Sequence, residues 1–233
     1  MELTKKTDGR TLANKLRYKK REEENPMDLS LTKEHMYFLG FLWADGYILK
    51  SKQRIGMEIV TEDYEQIKNL IPKEFKTYKR MRKNKTREIT QLYLGRSDYK
   101  DFLKNHGYSD KIKPSDFILK SGFLRYWLQG IFDGDGCFYQ NQNLKINQIS
   151  ISSKINQDWT YLEDILKELG CEFKVKRITT KTGKYSQLRM CNKKSLELLI
   201  NFLYPNGYEI GLKRKFNKAM LILNSCKKGS RRI

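Results

Sequence analysis

The chain has 233 residues, with 47 Lys and Arg against 27 Asp and Glu, two His and four Cys, for a formal net charge of +20. No apolar run reaches the ~18 residues of a membrane span, the basic N-terminus lacks the apolar stretch of a secretory signal, and two histidines without a Cys-x-x-Cys pair leave no Cys/His zinc set. Such an excess of positive charge points to a polyanionic partner, and Cys137, Cys171, Cys191 and Cys226 read as reduced, mostly buried thiols of an intracellular protein.

In chain order, residues 1–30 form a basic leader in which Thr11 to Glu24 suit a short helix, ended by Asn25-Pro26. Glu34 to Asp45 is an apolar helix closed by Gly46. A strand pair follows, with Ile55, Met57 and Ile59 on one face, and then a helix from Asp63 to Leu70 that Pro72 stops. Phe75 to Arg82 and Thr90 to Gly95 make a hairpin, and Asp98 to Asn105 a helix ended by His106-Gly107. After a connector with Pro114 the order recurs. Phe123 to Asp135 is helical, strands run from about Leu144 to Ser152, and Trp159 to Leu169 is a helix before Gly170. Phe173 to Ile178 and Tyr185 to Met190 pair about Lys181-Thr182-Gly183, Ser195 to Leu203 is helical, and a basic helix begins near Gly211. One α+β pattern, αββαββα, is written twice, over residues 31–112 and 113–226, with a basic tail at 227–233.

The hairpins offer a reading surface for nucleic acid. Lys76, Tyr78, Arg80 and Arg82 alternate on one side of a strand, joined by Gln91 and Tyr93, and Lys174, Lys176, Gln187 and Arg189 alternate with apolar residues in the second half. Arg, Lys and Gln match base edges in the major groove.

The chemistry concentrates in two segments, Phe38-Leu39-Gly40-Phe41-Leu42-Trp43-Ala44-Asp45-Gly46 and Leu128-Gln129-Gly130-Ile131-Phe132-Asp133-Gly134-Asp135-Gly136. Gly40 and Ala44 are one helical turn apart, as are Gly130 and Gly134, so each pair shares a helix face along which a second helix can approach closely. Helices paired that way bring Asp45 and Asp135 together at their C-terminal ends. There the helix dipole and the second carboxylate both disfavour negative charge. A divalent cation offsets both, and two carboxylates with few histidines suit Mg²⁺, with Mn²⁺ expected to substitute. Metal-assisted phosphodiester hydrolysis is the matching reaction class. Asp133-Gly134-Asp135-Gly136 does not continue as a calcium loop, because Leu144 stands where the last ligand is needed.

On these two motifs the chain resembles the LAGLIDADG homing endonucleases in their single-chain, double-motif form, over about residues 31–225. The resemblance implies a monomer with two antiparallel four-stranded sheets forming a saddle on the DNA major groove, packed through the motif helices. It also implies cleavage of both strands at a long asymmetric site with short 3′ overhangs, one metal-binding Asp per motif, and metal-facing carbonyls at Ala44 and Gly134. The family places basic residues around the scissile phosphates. Lys215, with Lys213 nearby in the basic stretch Gly211 to Phe216, and Lys111 or Lys113 are the candidates here. The chain departs from the family pattern at the sixth motif position, where Trp43 is expected in the core or interface and Asp133 as a hydrogen-bonding residue at a helix end.

The same fold serves RNA intron maturases and catalytically silent DNA-binding proteins, neither of which needs both carboxylates; this chain keeps both. Glu74-Phe75-Lys76 and Glu172-Phe173-Lys174 fit part of another nuclease pattern, which arises easily in a Lys-rich chain. An N-terminal Met and a C-terminal Arg231-Arg232-Ile233 suggest a free-standing or intron-encoded protein in place of an intein.

Overall fold

The computed structural model describes residues 9–49, 54–82, 86–141, 143, 146–181 and 183–228. Helix α1 (Gly9–Glu24) precedes the repeats. The first repeat is α2 (Lys33–Asp45), β1 (Gly46–Leu49), β2 (Arg54–Val60), α3 (Thr61–Ile67) continued by a 3-10 turn, β3 (Lys76–Met81), β4 (Glu88–Leu94) and α4 (Ser97–Asn105). A short α5 (Asp116–Leu119) leads to the second: α6 (Leu124–Gly134), β5 (Gly136–Asn141), β6 (Ile146–Lys154), α7 (Thr160–Glu168), β7 (Lys174–Thr180), β8 (Gly183–Met190) and α8 (Lys193–Leu203). Helix α9 (Lys213–Lys228) follows. Each repeat carries an antiparallel four-stranded sheet, in the orders β1-β2-β4-β3 and β5-β6-β8-β7.

The α+β architecture matches the expectation, with one element added. Strand β5 begins directly after the second motif, whereas the sequence suggested strands only from about Leu144, itself outside the described residues along with Thr182 of the second hairpin. Gln140 and Asn141 are poor strand formers on their own; pairing with β6, Phe138 opposite Ile149, makes them one. The cysteines also differ from expectation. All four are free, but only Cys171 and Cys226 are buried, and Cys137 and Cys191 are exposed. Cys137 pairs with Ser150 on the sheet side that faces away from the core. Among the described residues no helix is long and apolar enough to cross a membrane.

Helix α2 starts at Thr32, whose hydroxyl accepts from the His35 amide at 3.2 Å. It is buried from His35 to Trp43, and α6 from Trp127 to Asp133. Helices apolar on every side belong in the middle of a structure, and these two pack along each other with a sheet against each. The small residues make this possible. A Cβ on Gly40 would lie 2.7 Å from the Trp127 carbonyl carbon, and one on Gly130 2.6 Å from the Phe41 amide nitrogen. One on Gly134 would lie 2.6 Å from the Ala44 Cβ. Gly40 thus meets residue 127, and Gly130 also meets Tyr37, its counterpart in the other repeat. That reciprocity is the signature of a two-fold axis between the helices.

One apolar cluster runs through both repeats. The sixth motif position breaks its symmetry. Trp43 donates from Nε1 to the Tyr161 hydroxyl of the other repeat at 3.0 Å, and packs edge-on against Tyr108 and Trp127. Asp133, buried, accepts at Oδ2 from the Tyr37 hydroxyl and the Leu212 amide, both at 2.8 Å. Burial raises its pKa to about 7. Gly211, at φ 97°, lets the chain pass close to this carboxyl.

Candidate active site

The motif helices end side by side, so Asp45, the last residue of α2, and Asp135, the first after α6, arrive together. A Cβ on Gly134 would lie 3.1 Å from Asp45 Oδ2. Both carboxyls are exposed to solvent, yet partial loss of hydration against the surrounding chain raises their pKa: Asp45 from 3.8 to about 6, by this desolvation first and Asp135 second, and Asp135 by desolvation. Negative helix ends add to this cost.

Two lysines oppose it. Lys111 Nζ donates to the Gly46 carbonyl and, at 3.3 Å, to that of Ala44. Lys215 Nζ donates to the Gly136 carbonyl and, at 3.3 Å, to that of Phe132. Each lysine therefore grips the backbone where its motif turns into a strand, and both charges act on Asp45 and Asp135. Burial lowers Lys111 to a pKa of about 8 and lowers Lys215 as well. Lys111 reaches the site from a left-handed backbone conformation, φ 55°, uncommon for a residue with a side chain.

The neighbouring candidates lie elsewhere. The Lys213 ammonium sits 4.3 Å from the Tyr208 ring centroid, and Lys113 is a cation acting on Asp116 and Asp158. Residues two apart on a helix diverge by about 200°, so burying Lys215 turns Lys213 away. A cavity of about 70 Å³ beside Asp135 is lined by Lys111, Ser153 and Gln157. Gln157, which also donates to the Lys111 carbonyl at 3.3 Å, had no signal in sequence because it lies in a loop.

Helix α9 delivers Lys215 with the help of the other repeat. Arg214 donates from Nε and Nη2 to the two Asp63 oxygens of α3 at 2.8 and 2.6 Å, and the Lys213 amide to Gln66 Oε1 at 2.9 Å. Breaking this clamp with Asp63→Ala is expected to cost about 1 kcal/mol in urea unfolding, because the half-exposed Arg214 that loses its partner can still be hydrated. Arg214→Met should add little on that background. Full additivity of the two changes would mean the side chains act separately.

The sheets put the predicted readers on one side. In the first, Lys76 pairs with Tyr93 and Tyr78 with Gln91, and Arg80 shares their side, opposite that of buried Met57, Ile59 and Leu92. In the second, Lys174 pairs with Arg189 and Lys176 with Gln187, opposite the side of buried Ile149, Ile151 and Leu188. Arg82 lies just past β3, exposed, its amide bonded to the Arg87 carbonyl at 2.9 Å. Arg80 is tied to Glu58 at 2.7 Å. Arg54, not singled out by the sequence, joins this side with its guanidinium 4.9 Å from the Tyr93 ring centroid. Tyr47 also joins, accepting from Gln91 at 3.2 Å.

Residues 128–219 match the family model of the LAGLIDADG endonucleases. Over these residues the second repeat is similar to that family. The first repeat has the same element order and sheet topology, so the chain carries the double LAGLIDADG fold. Three solved structures share it. The homing endonuclease I-WcaI bound to its DNA recognition sequence has a TM-score of 0.61 at 16% identity, covering 94% of this chain and 95% of that one. Full-length DUF199/WhiA from Thermatoga maritima has a TM-score of 0.57 at 13% identity, over 90% of this chain and 64% of that one. I-SmaMI, bound to uncleaved DNA target in the presence of calcium ions, has a TM-score of 0.53 at 14% identity, over 86% and 93%. No curated protein in the comparison matches the sequence.

Among the described residues no three His, Cys, Asp or Glu side chains converge as a metal cluster. A cation at the paired motifs would therefore draw on two carboxylates, nearby carbonyls, water and substrate phosphate. That all-oxygen set, with carboxyls destabilised by desolvation and mutual repulsion, fits a hard divalent ion of the Mg²⁺ type.

Proposed function

We propose that the chain is a site-specific endonuclease that hydrolyses both strands of duplex DNA at a long asymmetric target, leaving short 3′ overhangs. The observation that carries this reading is the convergence of Asp45 and Asp135, each motif with its own lysine bonded to its backbone, between two sheets whose outward sides are rich in Lys, Arg, Gln and Tyr. I-WcaI, of the same fold, is a homing endonuclease seen bound to its recognition sequence. One protomer holds both motifs, so a monomer suffices, with residues 31–112 and 113–226 each reading half of the target.

Asp45 and Asp135 would hold divalent metal with the Ala44 and Gly134 carbonyls, Mg²⁺ in the first place and Mn²⁺ in substitution. When bound, the metal supplies Lewis-acid activation of phosphate and water. The chain's own part is placement. The outward sheet residues seat the duplex across the motif ends. Lys111 and Lys215 hold positive charge beside the carboxylates and are placed to donate to a phosphate oxygen as negative charge builds on it. Gln157 and Ser153 line the space where water can be ordered beside Asp135.

The test is cleavage of a randomised-site duplex library by the purified chain, with Mg²⁺ and with EDTA. One long site cut only with the metal, with 3′ overhangs, is the expected result. Persistent absence of cutting together with a positive splicing assay on intron RNA would replace this reading by the maturase one. Binding should also weaken steeply with salt, log K falling by about 0.9 per phosphate contacted for each tenfold rise in salt. A flat response would rule out a saddle on the duplex.

A further inference from the structure

Helix α1 belongs to neither repeat and contributes little to the core: Leu12, Leu16 and Tyr18 are 60%, 61% and 66% exposed. Yet its C-terminal end is firmly held. The Glu22 carboxylate accepts from the Ser97 hydroxyl and, at 3.0 Å, from its amide, capping α4. Arg96 donates to the Asn25 carbonyl at 2.8 Å, the Met27 amide donates to Asp98 at 3.4 Å, and Met27 is buried. A helix anchored at one end without a buried face is placed for what lies beside it.

What lies beside it is a groove of about 1030 Å³. Tyr18 and Arg21 of α1 form one wall, and Arg54, Lys73, Lys76 and Tyr93 line the other. Among the described residues Arg21, Arg54, Lys73 and Lys76 form no ion pair, unlike Arg80 and Arg96, which are each tied to an acid. Glu22, Glu24 and Glu74 also line the groove, Glu22 engaged by Ser97 and Glu24 lying 3.9 Å from the Lys20 ammonium. The groove is continuous with the outward side of the first sheet, since Lys76 and Tyr93 are a cross-strand pair of that sheet and Arg54 stacks on Tyr93.

We propose that this groove seats the phosphate backbone of duplex DNA flanking the cleavage site, so that α1 extends the DNA-contacting surface of the first repeat beyond its sheet. The proposal rests on the reading of the sheets as a DNA-binding face. Four cations that form no ion pair among the described residues, around an open channel, suit a polyanion, and continuity with the sheet identifies it as the same duplex running outward. Among the described residues the helix preceding α6 is the four-residue α5, too short to form such a wall, so the extension serves one flank.

The experiment measures binding of the full chain to a mixed-sequence duplex by fluorescence anisotropy across a salt series. Three exposed pairs are replaced: Arg21→Ala with Lys73→Ala in the groove, Lys174→Ala with Lys176→Ala on the second sheet, and Lys104→Ala on α4 with Lys120→Ala at the end of α5, outside both. The groove pair is expected to weaken binding and to lower the slope of log K against log salt by about 2, the value for two lost phosphate contacts. The pair outside both should leave the slope unchanged. A normal slope for the groove pair beside a reduced one for the sheet pair overturns the groove proposal and leaves the DNA reading standing. If both pairs bind as the parent does, the DNA reading fails with it. An equal loss from the pair outside both would reduce the effect to diffuse charge, and a loss on an RNA hairpin without one on the duplex would identify the wrong polymer.

Discussion

Asp45→Asn is expected to lower duplex DNA cleavage at least about a thousandfold, while the protein becomes more stable in EDTA. The loss follows from removing one of the two carboxylates available to a cation: several kcal/mol of transition-state stabilisation corresponds to a thousandfold or more in rate. The gain in stability follows from the same geometry. Desolvation and Asp135 raise the Asp45 pKa from 3.8 to about 6. A carboxyl whose pKa is higher in the folded chain favours folding while it is protonated. That contribution is complete below about pH 4 and is lost as pH rises through about 6. Metal-free protein should therefore lose stability over this window, whereas the Asn variant, neutral throughout, keeps it. Asp45 is exposed to solvent, so screening leaves a difference at neutral pH of the order of 1 kcal/mol. Cleavage on gels and thermal melting in EDTA from pH 4 to pH 8 check both halves. Near-normal cutting would refute the site assignment, and a lower melting temperature than the parent's would refute the electrostatic account. Duplex binding should persist, because the sheets and not the carboxylates carry it.

Gly130→Leu is expected to unfold both repeats together. The first side-chain carbon already falls 2.6 Å from the Phe41 amide nitrogen and closer still to the Tyr37 carbonyl, and neither backbone atom can swing aside as a side-chain tip would. The helices must separate, and the apolar cluster spanning both repeats opens with them. Overpacking of this kind costs about 3 kcal/mol, which for a chain of this length lowers the melting temperature by roughly 10 °C. Gly122→Ala is the control, since a Cβ there meets nothing within 4 Å. An unchanged melting temperature for Gly130→Leu would contradict the close helix pair, and loss of one repeat's signal alone would contradict the shared core.

Much of this molecule was legible before its folding was known, because its strongest signals are local or repeated. Gly40 with Ala44 and Gly130 with Gly134 mark helix faces that must touch, and touching helices with Asp at the same end bring carboxylates together whatever surrounds them. Alternation of polar and apolar residues over Lys174 to Lys176 and Gln187 to Met190 likewise set which side of β7 and β8 is polar, since successive side chains point to opposite faces. The duplication itself exposed the αββαββα order. Strand β5 escaped because Gln140 and Asn141 become strand only by pairing with β6.

The tertiary structure decided what depends on residues far apart in the chain. Four lysines were candidates beside the carboxylates, and sequence could not separate neighbours two positions apart. The fold chose Lys111 and Lys215 to grip the motif ends, and turned Lys213 onto Tyr208. Arg54 became part of the outward side only through Tyr93, which lies on another strand. The sixth motif position was visibly irregular in sequence, but that Trp43 and Asp133 each reach across to the other repeat is a fact of packing. Local chemistry and periodicity thus determined which groups this chain presents and on which faces. Only the close packing of the two repeats, a sum of contacts between distant residues, determined which of those groups meet.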